Sequence, residues 1–229
     1  MSTNITFAQP KGGAGKTTAA LDLAVELSKR WTLSVIDSDP NAPIAKWAER
    51  GGGSDNLKVV QVRRDDSVID IIEQEEKLSD FVIVDTEGVA DLRVAQAISV
   101  SDFVVVPSQG SPLDQQGAAL AIRLIKDQER IIRRPIPHAV LFTRVNAAIR
   151  SRGMAAAEKQ LEERGIEIFN TRLIEREAFK AMFSFNKTLD TLDPSEVSGV
   201  EKAKENSAAF AREMIARLKT IQESQNVPL

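Results

Sequence analysis

The sequence predicts an α/β fold in which a doubly wound, mostly parallel sheet carries helices on both faces. Short apolar runs of strand length recur along the chain, and amphipathic runs of helix length separate them. Apolar strands that alternate with helices are typical of parallel sheets buried on both faces. A glycine-rich segment, residues 11–18, stands between the first predicted strand and the first predicted helix. This placement also favours a doubly wound sheet, because such folds bind ligands where a strand leads into a helix.

Each predicted element follows from its local pattern. Runs rich in β-branched and other apolar residues predict seven strands, at residues 5–7, 33–37, 59–62, 81–85, 103–107, 139–143 and 166–168. Apolar residues spaced three and four apart predict helices at residues 17–30, 44–49, 68–78, 92–99, 113–128, 154–164 and 201–222. Residues 184–198 lack regular periodicity. No linker-like tract interrupts the alternation, so we expect one domain over residues 1–229.

The composition narrows the possible functions. The chain has 42% hydrophobic and 28% charged residues, which is ordinary for a soluble globular protein. We expect a cytoplasmic protein, because no apolar run approaches the roughly 18 residues that cross a bilayer and no signal-peptide pattern begins the chain. The absence of cysteine from the sequence excludes disulfides, thiolate metal sites and cysteine nucleophiles. The single histidine, His138, begins an apolar run and is expected at a strand edge, not in a catalytic site.

The segment KGGAGKTT, residues 11–18, carries most of a phosphate-binding pattern. Gly15, Lys16 and Thr17 match the second half of G-x-x-x-x-G-K-[ST], although Pro10 replaces its first glycine. Lys16 is expected to contact the β- and γ-phosphates of a nucleotide, and the Thr17 hydroxyl to bind Mg²⁺. Backbone N–H groups of the loop and of the next helix would face phosphate oxygens. The predicted nucleotide-binding residues are Lys11, Gly12, Gly13, Ala14, Gly15, Lys16, Thr17 and Thr18.

A second lysine, Lys11, directly follows Pro10. With it, the segment resembles the deviant phosphate-binding loop, KGGxGK[ST]T, of the ParA/MinD ATPases. The resemblance implies a P-loop NTPase fold, ATP and Mg²⁺ as ligands, and a homodimer formed around two ATP molecules. It also implies that Lys11 is catalytic with Lys16, because this lysine reaches the partner subunit's nucleotide. The first strand is predicted to begin near Ile5, so we expect no N-terminal helix-turn-helix domain.

Three carboxylates lie where predicted strands end. Asp37 and Asp39 close the second strand in the segment IDSDP, and Asp85 closes the fourth in FVIVD. Residues two apart on extended backbone share a direction, so Asp37 and Asp39 are expected to face the phosphates together. Asp85 has the position of a carboxylate that binds Mg²⁺, usually through water. The resemblance implies that Asp39 orients the attacking water and that Asp37 helps to hold the Mg²⁺ shell.

The loop after Asp85 departs from the family, whose members more often have DTPG or DxxG there. Glu87 replaces the proline, and Gly88 is the expected pivot of the loop. Two other segments, the PLD element at residues 112–114 and the segment around Trp47, resemble small ParF-type ParA proteins and a ParA relative used in conjugative DNA transfer. The likeness to that relative extends through EREAFKAMF, residues 175–183. The adenine is expected beside Arg144 and the segment that begins at Leu173.

Basic residues concentrate in one part of an acidic chain. Residues 121–190 contain 14 Lys/Arg and nine Asp/Glu, whereas the whole chain has a formal net charge of −3. Such an asymmetry fits either a local basic face or charges scattered over solvated helices. The candidate contacts to non-specific DNA are Arg144, Arg150, Arg152, Arg172, Arg176, Lys180 and Lys187.

The resemblance implies a cytoplasmic, nucleoid-associated ATPase that is reset by a ParB-like or other adaptor protein. Two alternatives stay open. A MinD-like membrane switch needs a C-terminal amphipathic helix, but the tail TIQESQNVPL is polar, so no stable membrane association is expected. A metabolic enzyme of the same superfamily would need a small-molecule pocket or, in nitrogenase reductases, cluster-ligating cysteines. The cargo, whether a plasmid, conjugative DNA or a protein assembly, is not determined by these patterns.

Overall fold

The computed structural model describes residues 2–10, 12–88, 92–146 and 152–225. Six strands form one sheet in the described chain: β1 (Thr3–Phe7), β2 (Leu33–Asp37), β3 (Leu57–Gln61), β4 (Phe81–Asp85), β5 (Phe103–Ser108) and β6 (His138–Phe142). All neighbouring strands are parallel, and their order is β3-β2-β4-β1-β5-β6. The predicted doubly wound α/β fold is confirmed.

Eight helices connect and cover these strands in the described residues. They are α1 (Lys16–Ser28), α2 (Pro43–Glu49), α3 (Val68–Glu75), α4 (Leu92–Ser99), α5 (Pro112–Ile132), α6 (Arg152–Glu163), α7 (Glu177–Ser184) and α8 (Val200–Gln225). None of the described helices is long and apolar enough to cross a membrane. His138 is the first residue of β6, as expected for a strand-edge residue.

The core lies on both faces of the sheet. Alternate strand residues supply the two faces, so Ile83 belongs to one cluster while Val82 and Val84 belong to another. The first face packs against α1, α2, α7 and α8, and the second packs against α3, α4, α5 and α6. The central strands β1, β2 and β4 are buried along their whole length, whereas the edge strand β3 is only partly buried. The strands are therefore almost continuously apolar because helices cover both faces of the sheet.

The predicted seventh strand, residues 166–168, is wrong. The segment forms a single parallel bridge between Val140 and Ile168 and then leaves the edge of β6. Phe169, the next residue, turns into the core and makes edge-to-face contacts with Phe103 and Phe210, at centroid distances of 6.0 and 5.4 Å. The backbone N–H groups of Asn170 and Thr171 donate to the Glu213 carboxylate of α8 at 2.8 and 2.7 Å, so they do not pair with β6.

Helix α7 is absent from the predicted set. It has only eight residues, and its position depends on a distant contact. The indole Nε1 of Trp47, on α2, donates to the carbonyl of Met182 at 3.0 Å and to that of Lys187 at 3.3 Å. The ring also fills the space beside Gly52, where an added Cβ would lie 2.3 Å from it. The spacing of apolar residues within one segment does not reveal such a contact.

The carboxyl group of Asp22, on α1, is buried near Ser207 of α8. Asp22 is 1% exposed, and neither of its carboxylate oxygens has a hydrogen-bond partner among the described residues. Burial raises the pKa of its carboxyl to about 7, although the nearby Ser207 hydroxyl opposes the shift. Because the pKa of Asp22 is higher in the folded state, its contribution to the free energy of unfolding is greatest at low pH. That contribution is lost as the pH rises from the pKa of the unfolded state, near 4, through 7. Ionised Asp22 therefore destabilises the fold.

We predict that Asp22→Asn raises the free energy of unfolding at pH 8 by about 2–4 kcal/mol, because the amide keeps the shape and removes the charge. The gain should shrink towards pH 4.5, where the wild-type carboxyl is largely neutral in the folded state. Urea unfolding at both pH values measures it, with the exposed Asp65→Asn as the matched control. An Asp22→Asn variant no more stable than wild type at pH 8 would contradict this account.

Candidate functional site

The glycine-rich loop joins β1 to α1 at the carboxyl edge of the sheet. Gly13 and Gly15 have φ angles of +84° and +82°, which glycine adopts without strain. A Cβ on Gly15 would also lie 3.1 Å from Oγ1 of Thr143, and that hydroxyl donates to the carbonyl of Ala14 at 2.6 Å. These two glycines give the loop a backbone that can approach a ligand closely.

Helix α1 begins at the end of this loop. Within the described residues, no side chain forms a capping hydrogen bond at its N-terminus. The N–H groups of a first helical turn have no partner within the helix and attract anions. The loop and helix together are therefore suited to phosphate oxygens. Gly12, Gly13, Ala14, Gly15, Lys16, Thr17 and Thr18 are brought together there, whereas Lys11 lies outside the described residues.

Lys16 is held at the end of β4. Its side chain is buried, and its Nζ donates to the carbonyl of Thr86 and pairs with Oδ1 of Asp85 at 3.4 Å. A buried ammonium needs such partners because desolvation of its charge is costly. Phosphate oxygens entering the loop would compete directly for this ammonium, so Lys16 is suited to bind a polyphosphate.

Asp85 supplies oxygen atoms for a cation. It is fully buried, and burial raises the pKa of its carboxyl to about 6, although Lys16 and the Thr17 hydroxyl oppose the shift. Its Oδ2 atom has no hydrogen-bond partner among the described residues. Mg²⁺ prefers oxygen ligands and usually takes only one or two carboxylates in addition to phosphate and water. Asp85 with Thr17 therefore fits an Mg²⁺ ion that binds together with a nucleotide.

Asp37 and Asp39 have different environments. Oδ2 of the buried Asp37 accepts the N–H groups of Ile44 at 2.8 Å and Ala45 at 2.9 Å, so this carboxylate caps α2. Its Oδ1 accepts the N–H of Asp39 at 3.2 Å. Burial raises the pKa of Asp37 in spite of these bonds. Asp39 is less buried, and its Oδ1 accepts the N–H of Asn41 at 2.8 Å.

The two carboxylates thus bind separate backbone groups. Sequence spacing did not reveal the capping role of Asp37, and its part in holding Mg²⁺ stays a prediction. Asp39 lies on the loop between β2 and α2 and is better placed than Asp37 to contact a ligand, because Asp37 is already committed to three backbone N–H groups.

The loop after β4 lies against the phosphate loop. A Cβ on Gly88 would be 2.8 Å from the carbonyl oxygen of Pro10, so only glycine fits without a shift. Gln109, which follows β5, donates from its side chain to the carbonyl of Gly13. Sequence reasoning missed Gln109 and the contacts of Thr86. The only available signal was the position of each residue just after a buried strand.

A pocket lies beside the glycine-rich loop, where the adenine was expected. Gly15 and Thr18 form one wall. The other lining residues come from the segment after β6, the segment before α7 and α7 itself, namely Thr143, Arg144, Leu173, Ile174, Glu175, Arg176, Phe179 and Lys180. Backbone hydrogen bonds join these two segments, from Leu173 to Phe142 at 2.9 Å and from Glu175 to Val145 at 2.9 Å. Arg144 is exposed with φ +51°.

The candidate DNA-binding residues do not form one uniform basic face. Arg172 is paired with Glu158, and Lys180 lies 3.6 Å from both Glu175 and Glu177. Arg176 is half-buried, whereas Arg144 and Lys187 are exposed. Arg150 and the side chain of Arg152 lie outside the described residues. Among the members of the set whose side chains the structure describes, Arg144 and Lys187 therefore offer the least hindered positive charges.

Comparisons with known proteins agree with this geometry. The VirC1 protein family matches residues 2–218. Protein ParA of Rhizobium radiobacter is 36% identical over 215 residues, which are 93% of this chain and 96% of the relative. The maintenance of carboxysome distribution protein A of Gloeobacter kilaueensis is 32% identical over 161 residues, 69% of this chain and 70% of that protein.

Solved structures share the fold at low identity. A plasmid partition protein of Borrelia burgdorferi B31 bound to AMPPNP has a TM-score of 0.68 at 18% identity, covering 93% of this chain and all of that one. The cell division protein MinD of Aquifex aeolicus has a TM-score of 0.70 at 16% identity, covering 94% and 98% of the two chains. The family match and the near full-length likeness to ParA lead to one conclusion: the chain belongs to the VirC1 family of ParA-type ATPases.

Proposed function

We propose that this protein is an Mg²⁺-dependent ATPase that dimerises around two ATP molecules, binds DNA without sequence preference as that dimer, and partitions or positions a cargo. The observation that carries the proposal is the convergence of the glycine-rich loop, Lys16 and Asp85 at one edge of the sheet. The relatives named ParA and carboxysome distribution protein A support a role in partition or positioning.

Different residues of the site have different roles in ATP hydrolysis. The loop amides and Lys16 bind the phosphates, and Thr17 with Asp85 would hold Mg²⁺, which neutralises charge that develops on the phosphoryl oxygens. Asp39 orients the attacking water. The pocket beside Thr143 and Leu173 receives the adenine, with Arg144 at its rim. An adaptor protein stimulates the slow reaction and so resets the dimer. We place this cycle in the cytoplasm, on the nucleoid.

Lys11 is assigned to the partner subunit's nucleotide. The Lys11→Ala variant should keep ATP binding but lose ATP-dependent dimerisation, because its positive charge acts across the interface. Light scattering with Mg²⁺ and ATP measures the dimer, and the exposed Lys202→Ala on α8 is the matched control. A Lys11→Ala protein that dimerises like wild type would contradict the two-nucleotide dimer.

Asp39→Ala should have the opposite effect. It should form a long-lived ATP dimer, since hydrolysis lacks the side chain that positions water. The same light-scattering experiment, followed over time together with phosphate release, tests this. A variant that stays monomeric with ATP, or that hydrolyses ATP at the wild-type rate, would remove Asp39 from the assigned role.

DNA binding should be independent of sequence and steeply dependent on salt. Dimerisation doubles any basic surface, so weak sites act together only in the ATP state. The logarithm of affinity for random duplex DNA should fall with the logarithm of salt concentration, with a slope of about −0.9 per phosphate neutralised. The double variant Arg144→Ala/Lys187→Ala removes four cations from each dimer and should therefore reduce the magnitude of that slope by about 3.6, whereas the paired Arg172→Ala should change it less. An ATP-bound dimer without affinity for DNA at low salt would require a different scaffold.

A further inference from the structure

A groove runs between α5 and α6, outside the pocket that is expected to hold the adenine. Its floor is apolar and its lining includes Ala118, Ala119, Ile122, Ala157, Leu161 and Ile166. The cavity measures about 250 Å³, just below the range of roughly 300–1,000 Å³ that is typical of small-molecule sites. It therefore has room for a few side chains of a partner but not for a whole cofactor.

Two arginines line the groove. Arg123 lies on α5 and Arg164 directly follows the end of α6, so they belong to opposite walls. Both residues are exposed.

Neither guanidinium group is neutralised locally. Within the described residues, the side chains of Arg123 and Arg164 form no ion pair or hydrogen bond, unlike that of Arg172, which is paired with Glu158. Two planar cations beside an apolar floor are complementary to carboxylates, which arginine binds with two parallel hydrogen bonds. The surface therefore favours an acidic ligand that also has apolar side chains.

The same lining argues against single-stranded nucleic acid as the ligand. Proteins that hold single strands present aromatic rings on which bases stack, and none of the described residues that line this groove is aromatic. An alanine-rich floor suits a closely packed helix instead, in the mode in which an amphipathic helix lays its apolar face into a groove.

We propose that the groove between α5 and α6 binds an amphipathic helical segment of a partner protein, whose aliphatic face covers the floor and whose carboxylates pair with Arg123 and Arg164. The proposal rests on the proposed function in one respect, since it names the docking surface of the adaptor. The upper end of the groove includes Ser108, directly before Gln109, whose side chain contacts the phosphate loop at Gly13. A bound partner would thus contact the segment at Ser108 and Gln109, which adjoins the phosphate loop.

The test uses two synthetic, fluorescently labelled peptides of about 18 residues, long enough to form a helix. Both carry leucine and alanine on one face; the acidic peptide has glutamate at the flanking positions, and the basic peptide has lysine there. Fluorescence anisotropy with the full chain should show saturable binding of the acidic peptide only. Arg123→Glu/Arg164→Glu should weaken that binding by about tenfold or more and should instead bind the basic peptide.

Two further variants separate specific binding from surface charge. Ala119→Phe, at an exposed position in the groove, should abolish binding of the acidic peptide without a change in charge. Arg212→Glu/Lys202→Glu, which makes the same change in charge on exposed sites of α8, should leave it unchanged. The proposal is wrong if the acidic peptide does not bind wild type, or if both charge-reversed proteins bind it equally. It is also wrong if random duplex DNA, and not the acidic peptide, loses affinity on reversal of Arg123 and Arg164.

Binding of Mg²⁺ and ATP is measured on each variant in parallel. The groove variants do not touch the glycine-rich loop, so they should bind ATP like wild type. A wild-type protein that binds ATP but not the acidic peptide refutes the groove alone, whereas a wild-type protein that binds the peptide but not ATP refutes the proposed ATPase alone.

Discussion

The parallel register of β1, β4 and β2 is the constraint on which the rest of the site depends. Phe7 of β1 and Asp37 of β2 are both level with Asp85 of β4. Three consecutive neighbours in the sheet therefore end at one height, although they are far apart in the sequence. The glycine-rich loop, the capping carboxylate of α2 and the loop after Asp85 leave the sheet side by side, and ligands of open parallel sheets bind at such an edge.

Within this arrangement, buried charge is balanced over a short distance. Lys16 is placed beside Asp85 and the carbonyl of Thr86, so the ammonium is partnered although it is buried. The neighbouring Asp37 is satisfied by backbone N–H groups and not by a cation. A nucleotide with Mg²⁺ would bring both negative charge for Lys16 and positive charge for Asp85. The site is therefore prepared for a ligand that carries both signs.

Much of the fold could be predicted from sequence, because its strands are buried on both faces and read as continuous apolar runs. The positions of the strand ends, of the glycine-rich loop and of Asp85 could also be predicted from these sequence patterns. The errors arose where distant contacts decide. Residues 166–168 make one bridge because the next backbone N–H groups bind Glu213 of α8, α7 depends on Trp47, and Asp37 caps a helix that begins six residues later. Spacing within one segment cannot encode a partner in another.

The central claim is that Lys16 and the glycine-rich loop bind the phosphates of ATP. Isothermal titration calorimetry of Mg²⁺ and ATP with wild type and Lys16→Ala tests it most directly, with circular dichroism to establish that the variant is folded. Removal of a charge-assisted contact worth about 1.5–3 kcal/mol should weaken binding roughly 10- to 150-fold. Equal affinity of the two folded proteins for Mg²⁺ and ATP would contradict the assigned phosphate site.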